Sequence, residues 1–210
     1  MTDSSEQSGK IAMSPLRAAV YAAGLVAVFA TYIYVYGVTV PAVSYCVLAV
    51  LLLLVALIDA ETYTIPNIYV VGISMLFFVM VCVETIMGAP MTQVVAQVTD
   101  GLLGSLVVGG GMLLFSVVFD LVTGRMSLGG GDIKLLLAVN LFLGLQLSIA
   151  NLVLSCIFAL IFAAVTGKQK KEGEDGSLQR VIPFGPGIAL ATVLSLAVGP
   201  LAFAWLGLAL

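Results

Sequence analysis

Six apolar runs constrain this chain more than any other feature: Ala18 to Tyr36, Val43 to Ile58, Ile68 to Met87, Leu102 to Val122, Ile149 to Thr166 and Gly187 to Leu208. A hydrocarbon core of roughly 30 Å takes about 20 helical residues at about 1.5 Å each, so runs near this length are predicted transmembrane helices. Lipid offers no water to backbone N–H and C=O groups, and a helix is how a single segment satisfies its own. Composition agrees, since 61% of residues are hydrophobic and 9% are charged, where soluble domains carry about a quarter charged residues. A soluble globular enzyme is excluded, and the expected fold class is all-α and polytopic.

A seventh stretch, Ile133 to Leu145, is apolar but short. Alone it fits a short crossing, a re-entrant segment or a helix buried by its neighbours. The basic residues decide, because Lys and Arg near span ends accumulate on the cytoplasmic side. They are Lys10, Arg17, Arg125, Lys134, Lys168, Lys170, Lys171 and Arg180. With seven crossings and the N-terminus inside, the N-terminal tail and the loops at 59–67, 123–134 and 167–186 are all cytoplasmic, and every basic residue falls inside. With six, the loop holding Lys168 to Arg180 is forced outside. Seven crossings are therefore expected, N-terminus inside and C-terminus outside. The first run also invites a signal-peptide reading, but it lacks a convincing small-residue cleavage site and another span soon follows.

Residues 1–16 are polar and end at Ser14-Pro15, a plausible helix entry, so they are expected to be a disordered cytoplasmic tail. Residues 17–210 are expected to form one membrane-embedded domain. The stretch Gly167 to Arg180 mixes charges and reads as a solvated loop that anchors the topology. Gly101, Gly104 and Gly109 to Gly111 read as places where helices approach closely. No internal repeat of the kind seen in transporters stands out. The net charge of -3 says little about partners, since placement matters more in a membrane protein, and no nucleic-acid patch is present. Cys46, Cys82 and Cys156 occur singly within apolar helices and there is no His, which argues against both a disulfide framework and a structural zinc.

An ionisable residue at membrane depth is costly enough to be a functional hypothesis by default. Asp59 ends the second run, in Ile58-Asp59-Ala60-Glu61-Thr62-Tyr63-Thr64-Ile65-Pro66-Asn67, and Asp132 opens the short stretch, in Gly129-Gly130-Gly131-Asp132-Ile133-Lys134-Leu135. On the expected topology both lie at cytoplasmic helix ends and can meet at one depth. The three glycines before Asp132 permit positive φ and leave the backbone bare, so that another chain can come close. Peptide hydrolysis needs one ionised carboxylate to take a proton from water and one protonated carboxyl to donate to the carbonyl oxygen. Two carboxyls sharing a site hold a single proton between them and meet this need.

These two runs, followed by Ile182-Pro183-Phe184-Gly185-Pro186, resemble in order and spacing the three signatures of type IV prepilin peptidases, members of the GxGD intramembrane aspartyl proteases. The resemblance covers the chain from about Val43 onward. It implies removal of the short basic leader from type IV prepilins or pseudopilins, just after a glycine, at the cytoplasmic face of a prokaryotic inner membrane. It maps Asp59 and Asp132 onto the catalytic positions. Gly129, Gly131, Lys134, Pro66, Pro183 and Gly185 fall on supporting or substrate-binding positions, with Lys134 tuning the pair's charge or touching substrate and the proline motif shaping the floor of the site. No metal or organic cofactor is implied, and water is the second substrate. The bifunctional members carry an N-terminal insert with paired CxxC motifs that is absent here, so cleavage without methylation is expected. Presenilin-like enzymes are disfavoured, because Asp59 follows Ile rather than Tyr and no Pro-Ala-Leu occurs.

The competing class is a transporter or channel subunit that uses an Asp pair for proton or cation coupling, but its carboxylates belong nearer the midplane. Other acidic residues have plainer readings. Asp120 reads as an interfacial partner of Arg125, Glu61 as a residue of the aqueous loop, and Glu84 and Asp100 as solvated charges toward the outer side. A Ser127–Lys134 dyad is opposed by the glycine run between the two.

Overall fold

A computed structural model describes residues 15–124, 129–166, 169–172, 178–181 and 184–205. Five helices are long and apolar enough to cross a membrane: α1 Pro15–Tyr36, α2 Val40–Thr62, α3 Asn67–Ile86, α4 Met91–Thr123 and α5 Gly130–Thr166. A sixth, α6 Gly185–Trp205, contains a shorter apolar stretch, Gly185–Gly199. This is the helical, polytopic architecture that the apolar runs predict.

Two local differences from the sequence reading stand out, in α4 and in the Gly167 to Arg180 stretch. Helix α4 starts at Met91 rather than near Leu102, because its first turns carry Thr92, Gln93 and Gln97; helical hydrogen bonding continues past the point where lipid demands apolar side chains. Part of the expected Gly167 to Arg180 loop is a β-hairpin, with Gln169–Glu172 antiparallel to Leu178–Val181. The runs Ile133 to Leu145 and Ile149 to Thr166 join in α5, which is helical throughout except at Gly144, with φ 67 and ψ 179. The break is sharp. Ser148 Oγ donates to the Asn140 carbonyl at 3.4 Å, although a rise of about 1.5 Å per residue keeps positions eight apart separated by roughly 12 Å in a straight helix. The chain therefore folds back at Gly144.

Contacts fix how the helices run. Tyr32 and Tyr36 of α1 donate to the carbonyls of Val193 and Leu196 in α6 at 3.2 Å and 2.8 Å, so α1 and α6 run the same way. Tyr45 of α2 and Phe77 of α3 each stand edge-to-face against Phe142 of α5, with ring centroids 6.3 Å and 5.3 Å apart. Such pairs contribute about 0.5–1.5 kcal/mol each beyond burial. Lipid is as apolar as a leucine side chain, so close approach must do the rest. A Cβ on Gly101 would overlap the Leu141 carbonyl, one on Gly104 would lie 2.6 Å from Ser148 Oγ, and one on Gly109 would lie 2.6 Å from Leu137. This glycine seam, which passes through the π-helical stretch Ser105–Gly110, seats α4 on α5. The start of α1, the end of α2 and the starts of α3, α5 and α6 consequently gather at one end of the bundle.

Candidate active site

Asp59 lies within the last turn of α2. Tyr63, in the left-handed conformation at φ 53, ends that helix by donating its N–H to the Asp59 carbonyl at 2.9 Å. The Asp59 side chain turns inward and is 4% exposed. Its Oδ2 accepts the backbone N–H of Gly185 at 2.9 Å. Gly185 opens α6, and the first N–H groups of a helix have no partner inside it. The carboxylate thus caps α6 from a different helix, at the terminus where the helix dipole favours negative charge. Glycine is required there, because a Cβ would lie 2.6 Å from Oδ2 and 2.9 Å from Cγ of Asp59.

Asp132 is the third residue of α5. Its N–H donates to the Gly129 carbonyl at 3.0 Å, forming the helix's first turn. It is half-buried and within electrostatic range of Asp59. The end of α2 and the beginning of α5 therefore bring the two aspartates together.

Of the two uses the sequence suggested for the glycine run, positive φ and a bare backbone, only the second is realised. None of Gly129, Gly130 and Gly131 is among the positive-φ residues, because the run already belongs to the start of a right-handed helix. What it provides is close approach. A Cβ on Gly129 would lie 3.0 Å from Asp132 Oδ2, and one on Gly131 would lie 3.2 Å from the Cβ of Ile65, whereas nothing lies within 4 Å of a Cβ on Gly130. Ile65 is buried and carries the chain from α2 into Pro66, the half-buried residue with φ -66 that precedes α3. Ile65 drew no notice as a site residue in the sequence. Its one visible clue was its place inside the first motif.

Lys134 is exposed, and its Nζ donates to Asn67 Oδ1 at 3.2 Å. The first and second motifs are thus joined at Ile65 with Gly131 and at Asn67 with Lys134, and Asp59 and Asp132 stand within electrostatic range of each other. In the third motif it is Gly185 that touches Asp59, while Pro183 lies outside the described residues.

Of the remaining acidic residues, Glu61 is exposed and Asp120 half-buried, while Arg125 and Ser127 lie outside the described residues. Glu84 and Asp100 are not simply solvated. Glu84 Oε2 is buried with no hydrogen-bond partner among the described residues. Asp100 is exposed, yet its Oδ1 accepts the N–H of Leu145 at 3.1 Å, just beyond the break at Gly144. A lone acid flanked by apolar sequence was the available hint. The three cysteines are free.

Residues 46–164 match the type IV leader peptidase family, a segment that includes both aspartates and stops short of Gly185. A prepilin leader peptidase/N-methyltransferase of Stutzerimonas stutzeri is 36% identical over 98 residues, 46% of this chain and 32% of that protein. Another of the same description, from Pseudomonas aeruginosa, is 31% identical over 147 residues, 69% of this chain and 46% of that protein. The chain spans less than half the length of these curated relatives. No solved structure matches significantly.

Proposed function

Because this chain belongs to the type IV leader peptidase family, we propose that it is a membrane endopeptidase that removes the basic leader from type IV prepilins or pseudopilins at the cytoplasmic face, with Asp59 and Asp132 as its catalytic pair. The observation that carries the reading is that the end of α2 and the start of α5 place Asp59 and Asp132 within electrostatic range of each other, with Asp59 held in place by the Gly185 N–H.

The chemistry follows from the two environments. The Gly185 N–H stabilises negative charge on Asp59 Oδ2, which suits Asp59 to accept a proton from the attacking water. Asp132 is then suited to hold the proton that passes to the scissile carbonyl oxygen as the water oxygen bonds to carbon. In the collapse of the tetrahedral diol, Asp132 takes back a hydroxyl proton as C=O re-forms, the C–N bond breaks, and the leaving amine takes up the proton from Asp59. A single shared proton makes the pair competent in both steps.

The basic residues support a cytoplasmic motif end of the bundle, and the fold-back at Gly144 supports seven crossings. One domain performs the reaction, and the precursor and the bilayer are its partners. A precursor whose apolar helix stays in the bilayer brings its leader to the pair at nearly fixed geometry, which removes much of the entropic cost of encounter. Coupled transport through an Asp pair is disfavoured, since both aspartates stand at helix termini rather than midway along a span.

The test is cleavage of a full-length prepilin in reconstituted vesicles by the wild type, Asp59→Asn and Asp132→Asn, each checked for folding. Each single substitution is expected to abolish leader removal. Near-normal cleavage by either folded variant would remove that residue from the mechanism.

A further inference from the structure

A groove of about 450 Å³ runs between α1, α2 and α6, and its lining is almost wholly apolar. It follows α1 from Val20 to Val28 and α2 from Ala49 to Ala60, spans of about 12 Å and 16 Å at about 1.5 Å per residue. Small residues line it on three helices, among them Gly24 of α1, Ala56 of α2 and Ala189 of α6, and these are the residues that let a further helix come close in lipid.

Lipid chains fill any apolar groove, so apolarity alone identifies no occupant. What distinguishes this groove is where it ends. Its lining includes Ala60, which follows Asp59 in α2, and Pro186, which follows the Gly185 whose N–H holds Asp59. The groove thus leads along the bundle to the carboxylate. Its outer wall is α1, which among its own residues buries only Tyr32, so this side of the site is loosely closed.

We propose that the groove between α1, α2 and α6 is the docking site for the apolar transmembrane helix of the substrate, the segment just after the scissile bond. This deepens the peptidase reading and rests on it. A helix seated there carries the bond on its N-terminal side to Asp59 and Asp132, and specificity then resides in the fit of an apolar face as well as in the leader.

Gly24 allows a direct test, because nothing lies within 4 Å of a Cβ built on it. Gly24→Phe therefore adds bulk to the groove from a position whose Cβ meets no packed atom. Gly72 of α3, equally open but outside the groove, is the control. With a full-length prepilin in vesicles, Gly24→Phe is expected to raise KM about tenfold or more at nearly unchanged kcat, the pattern for lost binding shared by ground and transition states. Gly72→Phe is expected to leave both unchanged. An unchanged KM for Gly24→Phe would mean that the groove holds only lipid, and the proposal falls.

Should Gly24→Phe lose activity altogether, a photo-crosslinking residue at position 24 decides without reliance on turnover. Capture of the precursor's apolar helix from position 24 and not from position 72 supports docking, and equal or no capture overturns it. If the wild type cuts no prepilin, the peptidase reading itself fails. A wild type that cuts while Gly24→Phe matches it defeats the groove alone.

Discussion

The backbone N–H of Gly185 reaches Asp59 Oδ2 at 2.9 Å across 126 positions of sequence, so the third motif grips the first through a main-chain group. Pro186, in the first turn of α6, is compatible with a helix start, but the contact needs a residue with no side chain. Gly185→Ala is accordingly expected to lower leader removal by about a hundredfold, the scale of loss when a reacting group shifts by about an ångström. Rates in vesicles beside a thermal unfolding scan separate this from general misfolding.

The aspartates should behave as one unit. Groups that act together lose nearly everything when either is removed. The double variant Asp59→Asn/Asp132→Asn is therefore expected to be no slower than either single variant, as read by mass spectrometry of the prepilin product. A further multiplicative loss in the double variant would argue for independent roles.

The three glycines before Asp132 should differ in tolerance. Gly130→Ala meets open space at the start of a helix, and is expected to keep activity and to stabilise by up to about 1 kcal/mol, since Ala is the better helix former. Gly131→Ala pushes on Ile65 and Gly129→Ala on the Asp132 carboxyl, so both are expected to lose activity. Parallel cleavage rates for the three variants check the order.

Asp100 and Gly144 form a second device, at the break within α5. Asp100→Ala removes the acceptor for the Leu145 N–H and is expected to cost about 1 kcal/mol, as for loss of a helix cap. Gly144→Ala is expected to cost more, because it places a side chain at φ 67 and drives its Cβ into the Asp100 carboxylate. Unfolding midpoints in mild detergent, followed by helical circular dichroism, measure both.

The exposed Lys134–Asn67 hydrogen bond should matter little energetically. A double-mutant cycle with Lys134→Met and Asn67→Ala is expected to return a coupling of at most about 1 kcal/mol, the usual net worth of one hydrogen bond. A much larger coupling would give this pair a part in fixing the two motifs that its exposure does not suggest.

The sequence by itself determined the solvent and marked the candidate site. Runs such as Ile68 to Met87 must be helices because lipid leaves backbone groups no other partner, and Asp59 and Asp132 were marked by the cost of an acid beside apolar sequence. Only the tertiary structure decided which faces meet. Leu141 against Gly101, Ile65 against Gly131, and the acceptor role of Asp100 left no trace in hydropathy, because an apolar residue facing lipid and one facing another helix read alike. The seven crossings already called for a turn between Ile133 to Leu145 and Ile149 to Thr166, but its place at Gly144 was silent, since a glycine within an apolar helix is ordinary in a membrane and its backbone conformation is fixed by what packs around it. The same holds for Gly185, whose need to be glycine exists only because α2 delivers Asp59 against it.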